Sequence, residues 1–390
     1  MSTTIHWTED RTARSARWHS ESAAPPPARV VVADDSLKAD AAYRLACEGT
    51  GLLWRGDYVN ARQLLSAMGR RVDRKPPRPV ADLAETFHLY RRARGHRARV
   101  LGRLLVLLTD HYSLTLRRAP DVRRACADAY GVPRGAMVVS LSELLGVLGA
   151  RQWREKGVAV PALGARIHPH YGVFAPTRSE YVDLVARVPL PAGRRTAFDL
   201  GTGTGVLAAV LAHRGFERVV GTDVNPRALS CAHENAHRLG LGGRVSLEGP
   251  ALFPDGRADL VVCNPPWLPG RPASALDQGV YDPDGAMLHG FLAGLAAHLA
   301  PGGEGWLILS DLAELLGLRS RVTLLTAVEA AGLRVLGRTD TRPRHPRATN
   351  PGDPLHAARA PEVTSLWRLA VSGGPGNITA ASAGSPTSRA

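Results

Sequence analysis

From residue 166 onward the apolar positions fall into short runs, each followed by a turn and a longer stretch with apolar residues three and four apart. The runs at 196–200, 218–222, 244–248, 258–263, 305–309, 334–338 and 365–370 have the length of strands. The stretches at 206–213, 226–239, 284–299 and 322–331 have the spacing of helices. This alternation predicts an α/β fold, a doubly wound and mostly parallel sheet of seven strands. Sheets of this kind bind ligands at the carboxyl ends of their strands.

Before residue 160 the rhythm differs. Leu64, Leu65 and Met68 recur at helical spacing, as do Leu83, Phe87 and Tyr90. The run 100–108 is apolar throughout and fits strand or helix. Ser140 followed by Glu143 reads as a capping box that opens a helix to residue 156. A basic, mainly helical substrate-recognition domain is therefore expected over 36–160. A linker rich in Gly, Pro and Ala at 157–165 joins it to the sheet domain at 166–372. Residues 1–35 are polar, run into Ala24-Pro25-Pro26-Pro27, and read as a disordered arm. Residues 373–390 read as a disordered tail, and the Asn377-Ile378-Thr379 sequon in it has no meaning in a cytoplasmic chain.

Charge sharpens the division. The 390 residues carry a net charge of +14; residues 1–160 hold 27 Lys+Arg against 16 Asp+Glu, and the remainder 22 against 19. A basic half beside a near-neutral half points to a polyanionic partner. Only three of the 49 basic residues are lysine. That bias is compositional and inflates arginine everywhere, but it does not explain the asymmetry. Cys47, Cys126, Cys231 and Cys263 lie far apart, which disfavours a zinc knuckle or a disulfide framework. No apolar run has the length of a membrane span, and the first residues lack the apolar core of a secretion signal. A cytoplasmic location is expected.

Two sites carry chemistry. Phe198-Asp199-Leu200-Gly201-Thr202-Gly203-Thr204-Gly205 lies between the first strand and helix of the sheet domain. Its glycines allow a tight turn and let a ligand approach backbone directly. Asp223 ends the next strand, where a carboxylate can accept both hydroxyls of a ribose. Val206 replaces the third glycine of a dinucleotide fingerprint, which argues against NAD. Asp199 instead complements a cation such as the sulfonium and ammonium groups of S-adenosylmethionine (SAM).

The second site, Asn264-Pro265-Pro266-Trp267, closes the strand 258–263. The prolines stiffen the backbone. The Asn264 oxygen and the Pro265 carbonyl can both accept from one –NH₂ group. Such a grip favours a pyramidal nitrogen and so stabilises the transition state of attack on a methyl. Trp267 offers a flat surface for a planar acceptor.

Together the stretch Asp199–Gly205, Asp223 and the Asn264 tetrad resemble the class I SAM-dependent methyltransferases of the "methyltransferase small domain" group. That group includes release-factor glutamine N5-methyltransferases and base-modifying RNA and DNA methyltransferases. The resemblance covers residues 166–340 and implies a Rossmann-like fold with SAM as cofactor. It implies that Asp199, Gly201, Thr202, Gly203 and Gly205 surround the methionine part of SAM, and that Asp223 and Val224 meet the ribose side. Leu252 would lie by the adenine, Asn264 and Pro265 would position the nitrogen, and Pro266 and Trp267 would complete the catalytic motif. Ala251 stands where the group usually has an acid that reads adenine, and the tetrad ends in Trp where the glutamine enzymes usually have Tyr. The entry segment at 168–180 is similar to one that folds over the cofactor, which makes Phe174, Pro176 and Thr177 candidate lid contacts. Thr177 and Glu180 also read as a capping box.

The leading expectation is an N-methyltransferase acting on an amino nitrogen of a nucleic acid, RNA above all. The alternative is a protein glutamine N5-methyltransferase whose partner is a protein factor. A small-molecule methyltransferase and a silent SAM-binding module are further readings. His233 and His237 form an i,i+4 pair without an evident third ligand, so no metal is expected. The arginines at 91–99, with His88 and His96, could track phosphates or form a solvated face.

Overall fold

The computed structural model describes residues 3–274, 276–344 and 349–373; the tail at 374–390, with its sequon, lies outside the described residues. The amino-terminal half contains the strands β1 (Thr4–Glu9), β2 (Thr12–Trp18), β3 (Val30–Ala33), β4 (Gly51–Trp54), β5 (Leu104–Leu108) and β6 (Met137–Ser140). They form one sheet in the order β1-β2-β6-β5-β4-β3. The helices α1 (Ala39–Cys47), α2 (Tyr58–Val72), α3 (Leu83–Leu101), α4 (Arg123–Tyr130) and α5 (Leu141–Lys156) accompany it. Strand residues alternate faces. Leu52, Leu104, Val106, Met137 and Val139 share a core with the helices, whereas Leu53, Leu105 and Val138 pack with Ile5 and Trp7 of β1.

This half corrects three expectations. Residues 1–35 are not a disordered arm. In β1 only Ile5 and Trp7 are buried, alternating with exposed polar residues, and β2 has no buried residue, so the segment reads as polar. The β1–β2 turn passes through Asp10 (φ 50°) and Arg11 (φ 60°). These left-handed residues suit a two-residue hairpin but lack the Asn-Gly signal that usually announces one. The domain expected to be mainly helical is built on a sheet of short strands, and the ambiguous run 100–108 splits into the end of α3 and β5. The expected linker at 157–165 contains most of an antiparallel hairpin, β7 (Val158–Val160) with β8 (Ala165–Ile167). The Ser140 cap does form, accepting from the Glu143 N–H at 3.1 Å. The Glu143 carboxylate turns away, to Tyr130 and the Glu21 N–H.

The second half follows the predicted alternation. After α6 (Glu180–Arg187) come β9 (Thr196–Leu200), α7 (Val206–His213), β10 (Arg218–Thr222), α8 (Pro226–Arg238), β11 (Val245–Glu248) and β12 (Ala258–Cys263). A small parallel pair, β13 (Leu268–Pro269) and β14 (Tyr281–Asp282), precedes α9 (Ala286–His298). Then follow β15 (Leu299–Ser310), α10 (Leu312–Leu315), α11 (Arg321–Ala330), β16 (Leu333–Thr341) and β17 (Thr364–Val371). The seven-stranded sheet has the order β11-β10-β9-β12-β15-β17-β16, parallel except for β17. The strand order reverses at β9, so the carboxyl ends of β9, β10 and β12 open on one crevice. Seven of the eight residues of α7 are buried, as an apolar sequence without a polar face requires. No helix among the described residues is long and apolar enough to cross a membrane.

Burial of Ile5 gives a direct check on the amino-terminal strand. Ile5→Ala should lower stability by about 2–5 kcal/mol, the usual cost of truncating a buried aliphatic side chain. Urea denaturation measures it, and an unchanged midpoint would mean that this segment does not belong to the core.

Candidate active site

The glycine loop is shaped by a buried carboxylate. Asp199, 1% exposed, uses one oxygen, Oδ2, to accept from the Thr202 hydroxyl at 2.7 Å and the Ala208 N–H at 2.9 Å. One atom thereby ties the end of β9 to the loop and to the first turn of α7. The Thr202 N–H donates to the Thr222 carbonyl at 2.8 Å, and the Gly203 N–H to Asp223 Oδ2 at 3.0 Å. The loop is therefore fastened to β10 as well. Gly201, Gly203 and Gly205 have φ of 68°, 55° and 78°, where a side chain would be strained.

Burial pushes the Asp199 carboxyl up to about 6, against the pull of its two hydrogen bonds, and the charge of Asp223 adds to the rise. Burial also raises Asp223, although the backbone N–H groups of Asn225, Gly203 and Val224 favour its charged form. A desolvated carboxylate that prefers to be neutral is a ready partner for a cation. Asp223 still has acceptor capacity after these backbone contacts. Beside it Val224 is 70% exposed, an apolar surface next to a hydroxyl acceptor. These features fit a ligand such as SAM, for which the residues around Asp199 and the glycines would complement the cationic end and Asp223 would accept from the ribose hydroxyls.

The third strand turn is less open. The Leu252 side chain lies against α9 at Gly290, where an added Cβ would be 2.8 Å from it. Its carbonyl accepts from the Thr222 hydroxyl at 2.6 Å. Phe253 stacks on His298, with ring centroids 4.2 Å apart. The half-buried Ala251 carries no polar group toward this edge.

At the end of β12 the tetrad has a definite geometry. The Trp267 indole N–H donates to Asn264 Oδ1 at 2.9 Å. An indole nitrogen only donates, so the Asn264 atom facing it must be the carbonyl oxygen, and the amide orientation is determined. That oxygen retains a second lone pair. Trp267 is not the bare stacking platform expected. The ring is half-buried against the sheet core, and the Arg178 guanidinium lies 4.7 Å from its centroid. Arg178 in turn donates to Glu180 at 2.8 Å and to Glu362 at 3.0 Å, both carboxylates almost wholly buried. Glu362 also accepts from the Ser310 hydroxyl at 2.7 Å.

Residues not foreseen complete the site. A Cβ on Gly201 would collide with the methyl of Met287, which therefore covers the loop from the start of α9. Asp282 holds that helix start by accepting from the Met287 and Leu288 N–H groups at 3.0 and 3.1 Å. The only signal for Met287 is its place at the start of a helix after an Asp-Pro-Asp-Gly turn. Arg178 lies within the segment singled out as a lid, but Thr177 and Glu180 form no capping box. Ser179 stands at the cap position, and Glu180 faces Arg178. Phe174 remains 39% exposed and packs beside Gly279. His168 and His170 fasten their turn to α8 through Asn235 and Glu234. His233 and His237 are exposed on α8, and no metal-holding group is found among the described residues.

Arg178 is thus the shared cation of two buried carboxylates. Arg178→Met should cost about 3–5 kcal/mol in urea denaturation, because it strands both charges. Adding Glu362→Gln should recover part of the loss. No recovery would contradict the pairing.

Part of the chain is similar to known proteins. Residues 164–317 match the family described as "Methyltransferase small domain". A release factor glutamine methyltransferase of Moorella thermoacetica is 43% identical over 130 residues, 29% of this chain and 45% of the relative. A ribosomal protein L11 methyltransferase of Tolumonas auensis is 34% identical over 122 residues, 31% of this chain and 42% of the relative. The solved structure of a ribosomal protein L11 methylase from Lactobacillus delbrueckii subsp. bulgaricus is 19% identical, with 50% of this chain and 79% of that chain covered at a TM-score of 0.33. The chain spans less than half the length of the two curated relatives. Residues 164–317, which carry the Asp199–Gly205 loop and the Asn264 tetrad, are thus similar to the methyltransferase small domain family.

Proposed function

We propose that this chain methylates the side-chain amide nitrogen of a protein glutamine. The observation that carries the reading is the Asn264 oxygen, held by the Trp267 indole at the end of β12 and backed by two prolines. Bound SAM supplies an electrophilic methyl on a sulfonium. An amide nitrogen attacks poorly because its lone pair is delocalised into the carbonyl. The free lone pair of Asn264 Oδ1 and the Pro265 carbonyl each accept one N–H of the acceptor, so the nitrogen lone pair turns toward the methyl. The C–N bond forms as the S–C bond breaks, and the extra proton leaves to water. These acceptors strengthen as positive charge grows on nitrogen, which lowers the barrier more than it stabilises the ground state.

An amide has more support than the RNA base expected first. Both curated relatives are named for protein substrates. The Trp267 ring, expected to stack on a base, carries a guanidinium instead.

Labelled SAM incubated with the protein and a cell lysate tests the acceptor. Label should survive nuclease, be lost with protease, and be released as methylamine on acid hydrolysis. Label lost to nuclease alone would overturn the amide reading.

Asn264→Ala should abolish turnover and leave SAM binding nearly unchanged, whereas Asp223→Ala should weaken SAM binding by about 1–3 kcal/mol. Calorimetry and a transfer assay separate the two, and equal loss of both functions on Asn264→Ala would refute its role.

The raised carboxyl of Asp199 predicts a pH dependence. Between its ordinary value and about 6 the folded protein without ligand holds a proton that the unfolded chain has released. Its contribution to stability therefore falls as pH rises through that window and is constant above it. A cation favours the carboxylate, so SAM affinity should rise with pH up to about 6 and then level off. Calorimetry in two buffers of different ionisation enthalpy should detect proton release below that pH; a flat profile would remove Asp199 from the binding site.

A further inference from the structure

The positive charge of the amino-terminal half is concentrated in one place. Residues 70–103 hold 11 Lys+Arg and three Asp+Glu, against 49 and 35 in the whole chain. The segment is less than a tenth of the chain but holds more than a fifth of its basic residues, with no excess of acids. A general bias toward arginine does not produce that clustering. All but Arg103, which follows α3, lie on the end of α2, on α3 and on the connection between them, and the two helices pack together.

Part of this charge is internally paired: Arg71 with Asp40, and Arg97 with Asp73. Arg91 and Arg103 are half-buried, and most of the rest faces solvent. His88, Arg92, His96 and Arg99 are all exposed and follow one another at four, four and three residues, a single stripe along α3. Lys75 and Arg78 are exposed on the preceding connection. None of Lys75, Arg78, Arg92 and Arg99 has a carboxylate partner among the described residues.

The same helix reaches the active site. Phe87 shares an apolar cluster with Leu268, the residue after Trp267. Arg91 lies 4.0 Å from the centroid of the Tyr281 ring and donates to the Arg271 carbonyl. A polymer lying along α3 therefore has the loop that follows the tetrad as its neighbour.

We infer that the α2–α3 face is a docking surface for single-stranded RNA. Ten of the 11 cations are arginine, whose planar fork matches phosphate oxygens better than a lysine ammonium does. The two histidine rings between them offer flat surfaces for unpaired bases. A membrane would ask for apolar anchors, and Val80 is the only exposed large apolar residue in this segment. An acidic protein would match the charge alone, and competition with polyglutamate separates it from RNA. The inference does not depend on the amide reading, since RNA can be the carrier on which a protein acceptor is presented.

Fluorescence anisotropy with a short, labelled, mixed-sequence single-stranded RNA tests the surface. Binding should be measurable at low salt and should weaken by about tenfold or more between roughly 50 and 200 mM salt. The variant Lys75→Ala/Arg78→Ala/Arg92→Ala/Arg99→Ala should lose at least about tenfold in affinity. A control that removes as many exposed charges from the sheet domain, Arg194→Ala/Arg195→Ala/Arg238→Ala/Arg334→Ala, should lose much less. Retained binding of S-adenosylhomocysteine by calorimetry shows that each variant is folded, and it reports on the methyltransferase site separately. The inference is overturned by no RNA binding in the unmodified protein or by equal losses in the two variants. Displacement by polyglutamate as effective as by RNA, or tighter binding of DNA of the same sequence, would overturn it too.

Discussion

One buried oxygen, Asp199 Oδ2, organises the catalytic half. It accepts from the Thr202 hydroxyl and the Ala208 N–H at once, so the strand, the glycine loop and the helix cannot move independently. The arrangement has a cost, since a carboxylate removed from water is unfavourable unless it is well hydrogen-bonded or paired with a cation. The two hydrogen bonds offset only part of that cost, which is why the group titrates so high. The same residue thus shapes the loop and leaves an electrostatic demand for a positive ligand. Close approach of the loop to β10 also requires Gly221, where a Cβ would meet the Thr202 hydroxyl at 2.9 Å.

The tetrad is held from three sides. Trp267 orients the Asn264 oxygen, Arg178 and its two buried carboxylates hold the indole, and the β13–β14 pair ties the following loop to the start of α9. The amino-terminal half supplies a fourth support through Arg91 and Phe87. Elsewhere Arg227 forms a bidentate pair with Glu21, and Arg154 donates through Nη2 alone to both oxygens of Glu234. The basic sheet-and-helix unit is therefore part of the frame of the active site as well as a charged surface.

Much of the catalytic half was legible in the sequence. The strands at 196–200, 218–222 and 258–263 and the helix at 206–213 coincide with the observed elements, because interior parallel strands and a wholly buried helix are mostly apolar. The glycine loop and tetrad were legible because they need residue types that few other structures demand. The amino-terminal sheet was not. Its strands β3, β4 and β6 have four residues each, too few to show a period; β1 buries only alternate positions, and β2 is exposed over its first four residues, so both resemble a polar arm. Trp267 was read as an open surface because the residue that covers it, Arg178, is 89 positions away.

By itself the sequence determined the α/β alternation, the glycine turn with its two acids, the Asn-Pro-Pro-Trp motif and the uneven charge. All of these are local properties, expressed by neighbouring residues through backbone preference and periodicity. Tertiary structure alone decided that Ile5 and Trp7 cover a sheet, that Met287 closes over Gly201, and that Arg178 occupies the face of Trp267. It also decided that α3 supports the tetrad loop. Each of these contacts joins residues remote in the chain. Its free energy comes from burial and charge pairing that exist only once the intervening segments have folded.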